Sequence, residues 1–314
     1  MTVSKLGFKQ RLAAWWEGEE LPPEQREAAP AEAAPMPVAA AEPPPAEEPP
    51  PAQSLDRFGR PLWNATRIEV AETMWGEGFL TPGGAGYAPL LVKPLALSKE
   101  MSLLDLTAGL GGLARAVVAE TGCWVTGLEV SEPVAKLGMD RSQRAGQEKQ
   151  AAIKAYNPSN LKLGRRFDAV FAKESLFTVA DKDALFDTIE EHLKPKGQIL
   201  YTDYVIEDEA SRAGLKAWMQ AEPQDVHLWS VAQHIEGFKQ RNLDVRVTED
   251  ITPKYIAFIV DGVGRLRDRM SGHGLSTETK AAIMAEVQLW ARRMDALQHK
   301  GLRVYRFLAL KLFE

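Results

Sequence analysis

The run Asp105-Leu106-Thr107-Ala108-Gly109-Leu110-Gly111-Gly112 holds the residue types that cradle a nucleotide-like ligand. Glycines there let the backbone approach a ligand with no Cβ in the way, and they let a helix start tightly. Glu129 stands about twenty residues further on, where a carboxylate at a strand end can accept hydrogen bonds from ribose hydroxyls. The loop is not the dinucleotide fingerprint. Thr107 stands at the first glycine position, and Gly111 and Gly112 are adjacent. Asp105 disfavours a neighbouring phosphate, whereas a carboxylate suits an amino-acid ammonium or an ordered water. The set therefore points to S-adenosyl-L-methionine rather than NAD. The plainer alternative is a loop that only turns a strand into a helix.

Methyl transfer from such a ligand is an in-line displacement at a sulfonium carbon. The protein mainly aligns nucleophile and methyl in a dry pocket. A general base is needed only when the acceptor starts protonated. Four residues are candidates: Tyr204, Asp203, Glu77 and Glu174. Each has a structural alternative. Asp203 reads as a strand-end hydrogen-bonding residue, Glu77 as a local cap or pair, Glu174 with Lys173 as a solvated pair, and Tyr204 as a packed core edge. Trp75, Phe79, Trp229 and Trp290 either line an aromatic pocket or pack in the core. The histidines, His192, His227, His234, His273 and His299, lack metal-ligand spacing, so no metal is expected.

The elements that must position these residues alternate in the α/β manner. A helical pattern from Leu62 to Trp75 is broken by Gly76 and Gly78, and a second spans Tyr87 to Leu97 across Pro89 and Pro94. Short apolar strands follow at 103–106, 124–128, 152–156, 167–171 and 198–202. Helices at 113–120, 133–144 and 181–193 separate them, the last closed by the turn Lys194-Pro195-Lys196-Gly197. Repeated units of this kind imply a parallel sheet with helices on both faces. Two helices near 209–220 and 230–241, a strand at 245–248, two long helices at 253–270 and 277–299 and a strand at 302–312 complete the pattern. The two long helices form an insertion that could roof a pocket.

The chain has 314 residues and a net charge of -5, too mild for a nucleic-acid binder that works through bulk electrostatics. Residues 19–54 are rich in Pro, Ala and Glu and read as a disordered linker. Residues 55–314, roughly 250 in number, suffice for one large domain. Before the linker, Phe8, Leu12, Trp15 and Trp16 share one helical face, with Lys5, Lys9 and Arg11 adding positive charge. Residues 1–18 thus read as an amphipathic helix that docks on a protein partner or an anionic membrane surface, or packs on its own domain. The single Cys123 rules out an intrachain disulfide and reads as a small core residue. A cytoplasmic setting fits that usage. No apolar run reaches the ~20 residues that span a bilayer.

Across these segments the sequence resembles the class I S-adenosylmethionine-dependent methyltransferases, and within them the phosphoethanolamine methyltransferase type. Trp75-Gly76-Glu77-Gly78-Phe79-Leu80-Thr81-Pro82-Gly83-Gly84 is similar to that family's FGxxYxSxGG segment. The glycine loop, Gly127-Leu128-Glu129-Val130, Phe167-Asp168-Ala169-Val170, Leu193-Lys194-Pro195-Lys196-Gly197, Thr202-Asp203-Tyr204 and Trp290-Ala291-Arg292-Arg293 continue the match. The resemblance implies a Rossmann-like, seven-stranded sheet whose last strand runs antiparallel. It implies cofactor contacts at Leu80, Thr81, Asp105, Gly109, Glu129, Val130, Asn157 and Lys173, with Thr107 and Gly111 in the same loop. It places Tyr204, together with Asp203, toward the acceptor. Trp75, Glu77, Glu174, Thr178 and Arg293 would surround that acceptor, Arg293 at a basic position that holds an anionic group. Two departures stand out: Trp63 and Thr178 occupy the places of a catalytic Tyr and His, and Thr107 replaces a glycine. The expected function is methyl transfer to a small-molecule N or O acceptor. The rival is a non-catalytic binding or assembly module recruited through residues 1–18. A nucleic-acid methyltransferase is weaker still, because Asn157-Pro158-Ser159-Asn160 is not the Asn/Asp-Pro-Pro-Tyr type of motif.

Overall fold

The computed structural model describes residues 55–158, 161, 163–271 and 274–312. The expected helix at 1–18 and linker at 19–54 lie outside these residues, as does His273. The first helix, α1 (Ala65–Trp75), begins later than the apolar pattern suggests. Asn64 adopts extended backbone and its side chain accepts the Arg67 N–H at 2.8 Å, which fixes the start by capping. Gly76 ends it at φ 96°. Helix α2 (Gly84–Val92) stops short of the expected Leu97, because Pro94 cannot continue it and a short 3-10 turn follows.

Then come β1 (Ser102–Asp105), α3 (Gly112–Thr121), β2 (Trp124–Glu129), α4 (Glu132–Arg144), β3 (Ala151–Ala155), β4 (Phe167–Lys173) and α5 (Lys182–His192). Strand β5 (Leu193–Ile206) differs from the expected turn plus short strand. Lys194–Gly197 stays within it as an irregular stretch, where the register against β4 shifts and Lys196 sits at φ 62°. The strand also runs on to Ile206, because β8 pairs with it from Gln198 to the end. The rest of the chain is α6 (Ser211–Ala221), β6 (Trp229–Ser230), α7 (Val231–Lys239), β7 (Leu243–Asp250), α8 (Thr252–Ser271), α9 (Thr277–His299) and β8 (Leu302–Lys311).

The sheet order is β3-β2-β1-β4-β5-β8-β7, with β6 beside the end of β5. Strands β1 to β5 are parallel and β8 runs antiparallel between β5 and β7, as the resemblance implied. The eighth strand, beyond the expected seven, is the two-residue β6. Strand order reverses between β1 and β4. In such sheets that point opens a crevice at the carboxyl ends of the strands. Apolar side chains of β4, β5 and β8, among them Phe167, Tyr201 and Phe307, pack with Phe186 and Phe238 to form the core under one face.

The insertion of α8 and α9 supplies no residue to the crevice lining: it lies against α1, and Tyr255 and Phe258 of α8 back Glu174 and Tyr87. The Trp75 and Trp290 rings meet edge to face at 4.8 Å, and the Arg67 Nε donates to Glu286 Oε1 at 2.6 Å. Burying two large aromatic rings in that geometry contributes more than their area alone, by about 0.5–1.5 kcal/mol. Among the described residues no helix is long and apolar enough to cross a membrane.

Candidate functional site

A cleft of about 1380 Å³ opens at the carboxyl ends of β1, β2 and β4. Its floor is the loop after β1. There the Leu106 N–H donates to Phe171 O and the Ala108 N–H to Leu128 O, both at 2.9 Å, so the loop is tied to both neighbouring strands. Gly109 takes φ 52°, a left-handed backbone that a side chain strains. A Cβ added there would meet only Leu80, at 3.6 Å, so its absence leaves cleft space between the loop and Leu80.

Glu129 ends β2 and faces this floor. Its Oε2 accepts the Gly109 N–H at 3.1 Å and its Oε1 accepts the Ser131 N–H at 2.8 Å. A carboxylate has about four acceptor directions, so capacity for further donors remains in the cleft. Burial raises its pKa against these two hydrogen bonds. Asp105 lies deeper, 1% exposed, and accepts the Thr107 N–H at 2.9 Å. Burial, the dominant cause, pushes its carboxyl up to about 7. Thr107 in turn accepts the Lys173 N–H at 2.9 Å, which locks the loop to the end of β4.

The opposite wall comes from the glycine-rich strap between α1 and α2. Lys173 Nζ donates to Thr81 Oγ1 and Pro82 O, each at 2.8 Å, and to Glu174 Oε2 at 2.5 Å. Glu174 holds a left-handed φ of 44°, and its Oε1 accepts the Thr202 hydroxyl at 2.7 Å. Non-glycine residues in that conformation concentrate at functional sites.

Ten of the expected site residues line this one cleft: Leu80, Thr81, Asp105, Thr107, Gly109, Glu129, Val130, Lys173, Glu174 and Thr178. Val130 is 40% exposed at the rim. Trp63 lines it too, on the same cavity as Thr178. Asn157 stays off the wall, though its neighbours Tyr156 and Pro158 are on it. Gly111 turns behind the loop toward Arg115 and Ile153.

Five expectations are corrected. Trp75 packs on Trp290 outside the cleft, and Glu77 is exposed to solvent. Arg293 is half-buried and forms a two-pronged pair with the buried Glu222, at 3.0 and 2.7 Å, so its guanidinium is already neutralised. Tyr204 donates or accepts one hydrogen bond with the Tyr255 hydroxyl at 2.9 Å, under the strand rather than in the cleft. Asp203 is fully buried, and among the described residues its carboxylate oxygens have no hydrogen-bond partner. Burial pushes that carboxyl well above the usual carboxylate range, against the pull of the Lys182 ammonium.

Side-chain alternation along β5 turns Asp203 to the face opposite Thr202, while Tyr204, on the Thr202 face, lies one step further along the strand and bonds Tyr255. It is Thr202, not Asp203 or Tyr204, whose side chain reaches a cleft residue. Tyr156 and Tyr87 line the cleft and were missed from the sequence as site residues, because aromatic residues among small or apolar neighbours read as core. Among the described residues no group of His, Cys, Asp and Glu could hold a metal.

The donor set fits S-adenosyl-L-methionine: a loop with a missing Cβ, a strand-end carboxylate above it and a buried carboxyl beside it. The comparisons point the same way. A family model described as a methyltransferase domain matches residues 85–248. Phosphoethanolamine N-methyltransferase 2 of Caenorhabditis elegans is 24% identical over 82% of this chain, which spans 59% of that relative's length. Glycine/sarcosine/dimethylglycine N-methyltransferase of Actinopolyspora halophila is 25% identical over 51% of this chain and 29% of its own. In fold, the chain is similar to Haemonchus contortus phosphoethanolamine N-methyltransferase 2 in complex with S-adenosyl-L-methionine. The TM-score is 0.65 at 22% identity, covering 78% of this chain and 56% of that one.

Proposed function

Because the chain belongs to the methyltransferase-domain family, we propose that it binds S-adenosyl-L-methionine in this cleft and directs methyl transfer to a small-molecule N or O acceptor. The observation that carries the reading is the carboxylate of Glu129, hydrogen-bonded to the Gly109 amide and open to the cleft. Glu129 would hold the ribose hydroxyls, Asp105 the amino-acid ammonium, and Leu80 and Val130 the adenosyl faces. The cofactor, when bound, supplies a methyl already activated on a sulfonium.

What remains for the chain is to bind, orient and exclude water. Neither Trp63 nor Thr178 can take a proton near neutral pH. Glu174 is a buried carboxylate on the cleft wall, but its charge is matched by the Lys173 ammonium and its second oxygen by the Thr202 hydroxyl, so it offers no free charge to an acceptor. Arg293, committed to Glu222, supplies no free cation for an anionic acceptor group. Phosphoethanolamine, the substrate in the names of several relatives, would therefore need another anchor for its phosphate.

A cytoplasmic setting, and a reach toward a partner or anionic surface through residues 1–18, complete the proposal. They rest on the lone Cys123 and on the spacing of Phe8, Leu12, Trp15 and Trp16.

Calorimetric titration with S-adenosylhomocysteine tests the reading. The wild-type chain is expected to bind, and Glu129→Ala to lose about tenfold or more in affinity, the worth of a charge-assisted contact. Equal affinities would remove the ribose assignment.

A further inference from the structure

Resting on that reading, we propose that Lys173 is a positioning residue. Its ammonium latches the glycine-rich strap over the cleft and so retains the cofactor, instead of gripping the cofactor's own carboxylate. The strap is held differently at its two ends. At the near end its backbone is fixed. The Gly112 N–H donates to Gly78 O at 3.1 Å, and the Gly78 N–H donates to Glu72 Oε1 at 2.6 Å. Glu72 is itself held by Arg141, whose Nη2 donates to Oε2 at 2.9 Å. At the far end Lys173 Nζ holds both the Thr81 hydroxyl oxygen and the Pro82 carbonyl. Phe79 and Leu80, between the two anchorages, line the cleft.

The chemistry of Lys173 fits a latch. An ammonium has three protons to donate, and here they go to Thr81, Pro82 and Glu174. None is left for a fourth acceptor. The side chain is 12% exposed, so the cation is drawn out of water and depends on those partners. Glu174 steadies it from behind through the Thr202 hydroxyl. Gly76, Gly78, Gly83 and Gly84 all take positive φ, from 59° to 115°, on either side of Phe79–Pro82. Such positions absorb backbone rotation readily. Release of one side chain would free the far end, while the near end stays in place.

The test compares two ligands on the full chain: S-adenosylhomocysteine, and 5′-methylthioadenosine, which lacks the amino-acid carboxylate. Dissociation rates are measured for the wild type, Lys173→Met and Thr81→Val. A latch predicts that Lys173→Met releases both ligands about tenfold faster, as expected for loss of charge-assisted hydrogen bonds. Thr81→Val shifts both in the same direction by a smaller factor, and it stands as the readout should Lys173→Met fold poorly. Faster release of S-adenosylhomocysteine alone, or unchanged release of both, overturns the latch. A wild-type chain that binds neither ligand overturns the cofactor reading itself, a result distinct from the previous two.

Discussion

At the scale of single residues, Asp105 makes the sharpest pH statement. Burial raises its carboxyl to about 7, with Glu129 adding to the rise and Lys173 opposing it. A carboxyl whose folded pKa exceeds its unfolded value is one that the fold prefers protonated. The ligand-free chain should therefore lose stability as pH climbs from about 4 through 7 and level off above. Cofactor binding has the opposite sign, because an ammonium is held by the ionised form. Affinity for S-adenosylhomocysteine is expected to rise between pH 6 and 8, and Asp105→Asn to flatten that rise. Calorimetry across the range decides it, and a flat wild-type profile would release Asp105 from the ammonium role. Arg293 teaches the converse. A basic residue matching a family position is not a binding group once a buried carboxylate, here Glu222 at 2% exposure, has claimed it.

At the scale of elements, the strap and the start of α3 are built around close backbone approach. A Cβ on Gly112 would lie 2.4 Å from Gly78 O and 2.8 Å from Phe79 Cε2. Gly112→Ala should lift the strap and weaken S-adenosylhomocysteine about tenfold, since overpacking costs ~1–3 kcal/mol. Gly86→Ala is the control: it has no atom within 4 Å of its added Cβ and an ordinary φ. Equal titrations for the two variants would show that the strap does not shape the cleft. The adjacent glycines were visible in the sequence, but the reason for the second was not. A glycine that fits a neighbouring backbone looks the same as one that turns a loop. The insertion was misplaced for a similar reason. Periodicity gave two long helices, yet nothing in their spacing says that Gly262 makes room for the Trp75 ring, where an added Cβ would fall 2.5 Å away. That contact seats α8 and α9 on α1, with α8 behind the cleft wall at Tyr87 and Glu174.

At the scale of the whole molecule, strand alternation made the architecture readable, because short apolar runs between amphipathic helices admit few topologies. The crevice then follows from the reversal of strand order between β1 and β4, and the loop at Asp105–Gly112 with Glu129 falls on it. Less readable was the direction of side chains at strand ends. A slip of one position separates a residue that bonds the cleft wall from one that turns the other way, as Thr202 and Asp203, both buried, illustrate. The most direct measurement is a crystal structure of the chain grown with S-adenosylhomocysteine. The ribose hydroxyls should lie within hydrogen-bonding reach of Glu129, with the thioether over the backbone at Gly109. Ligand seated elsewhere, or a Glu129 carboxylate turned from the sugar, would contradict the account.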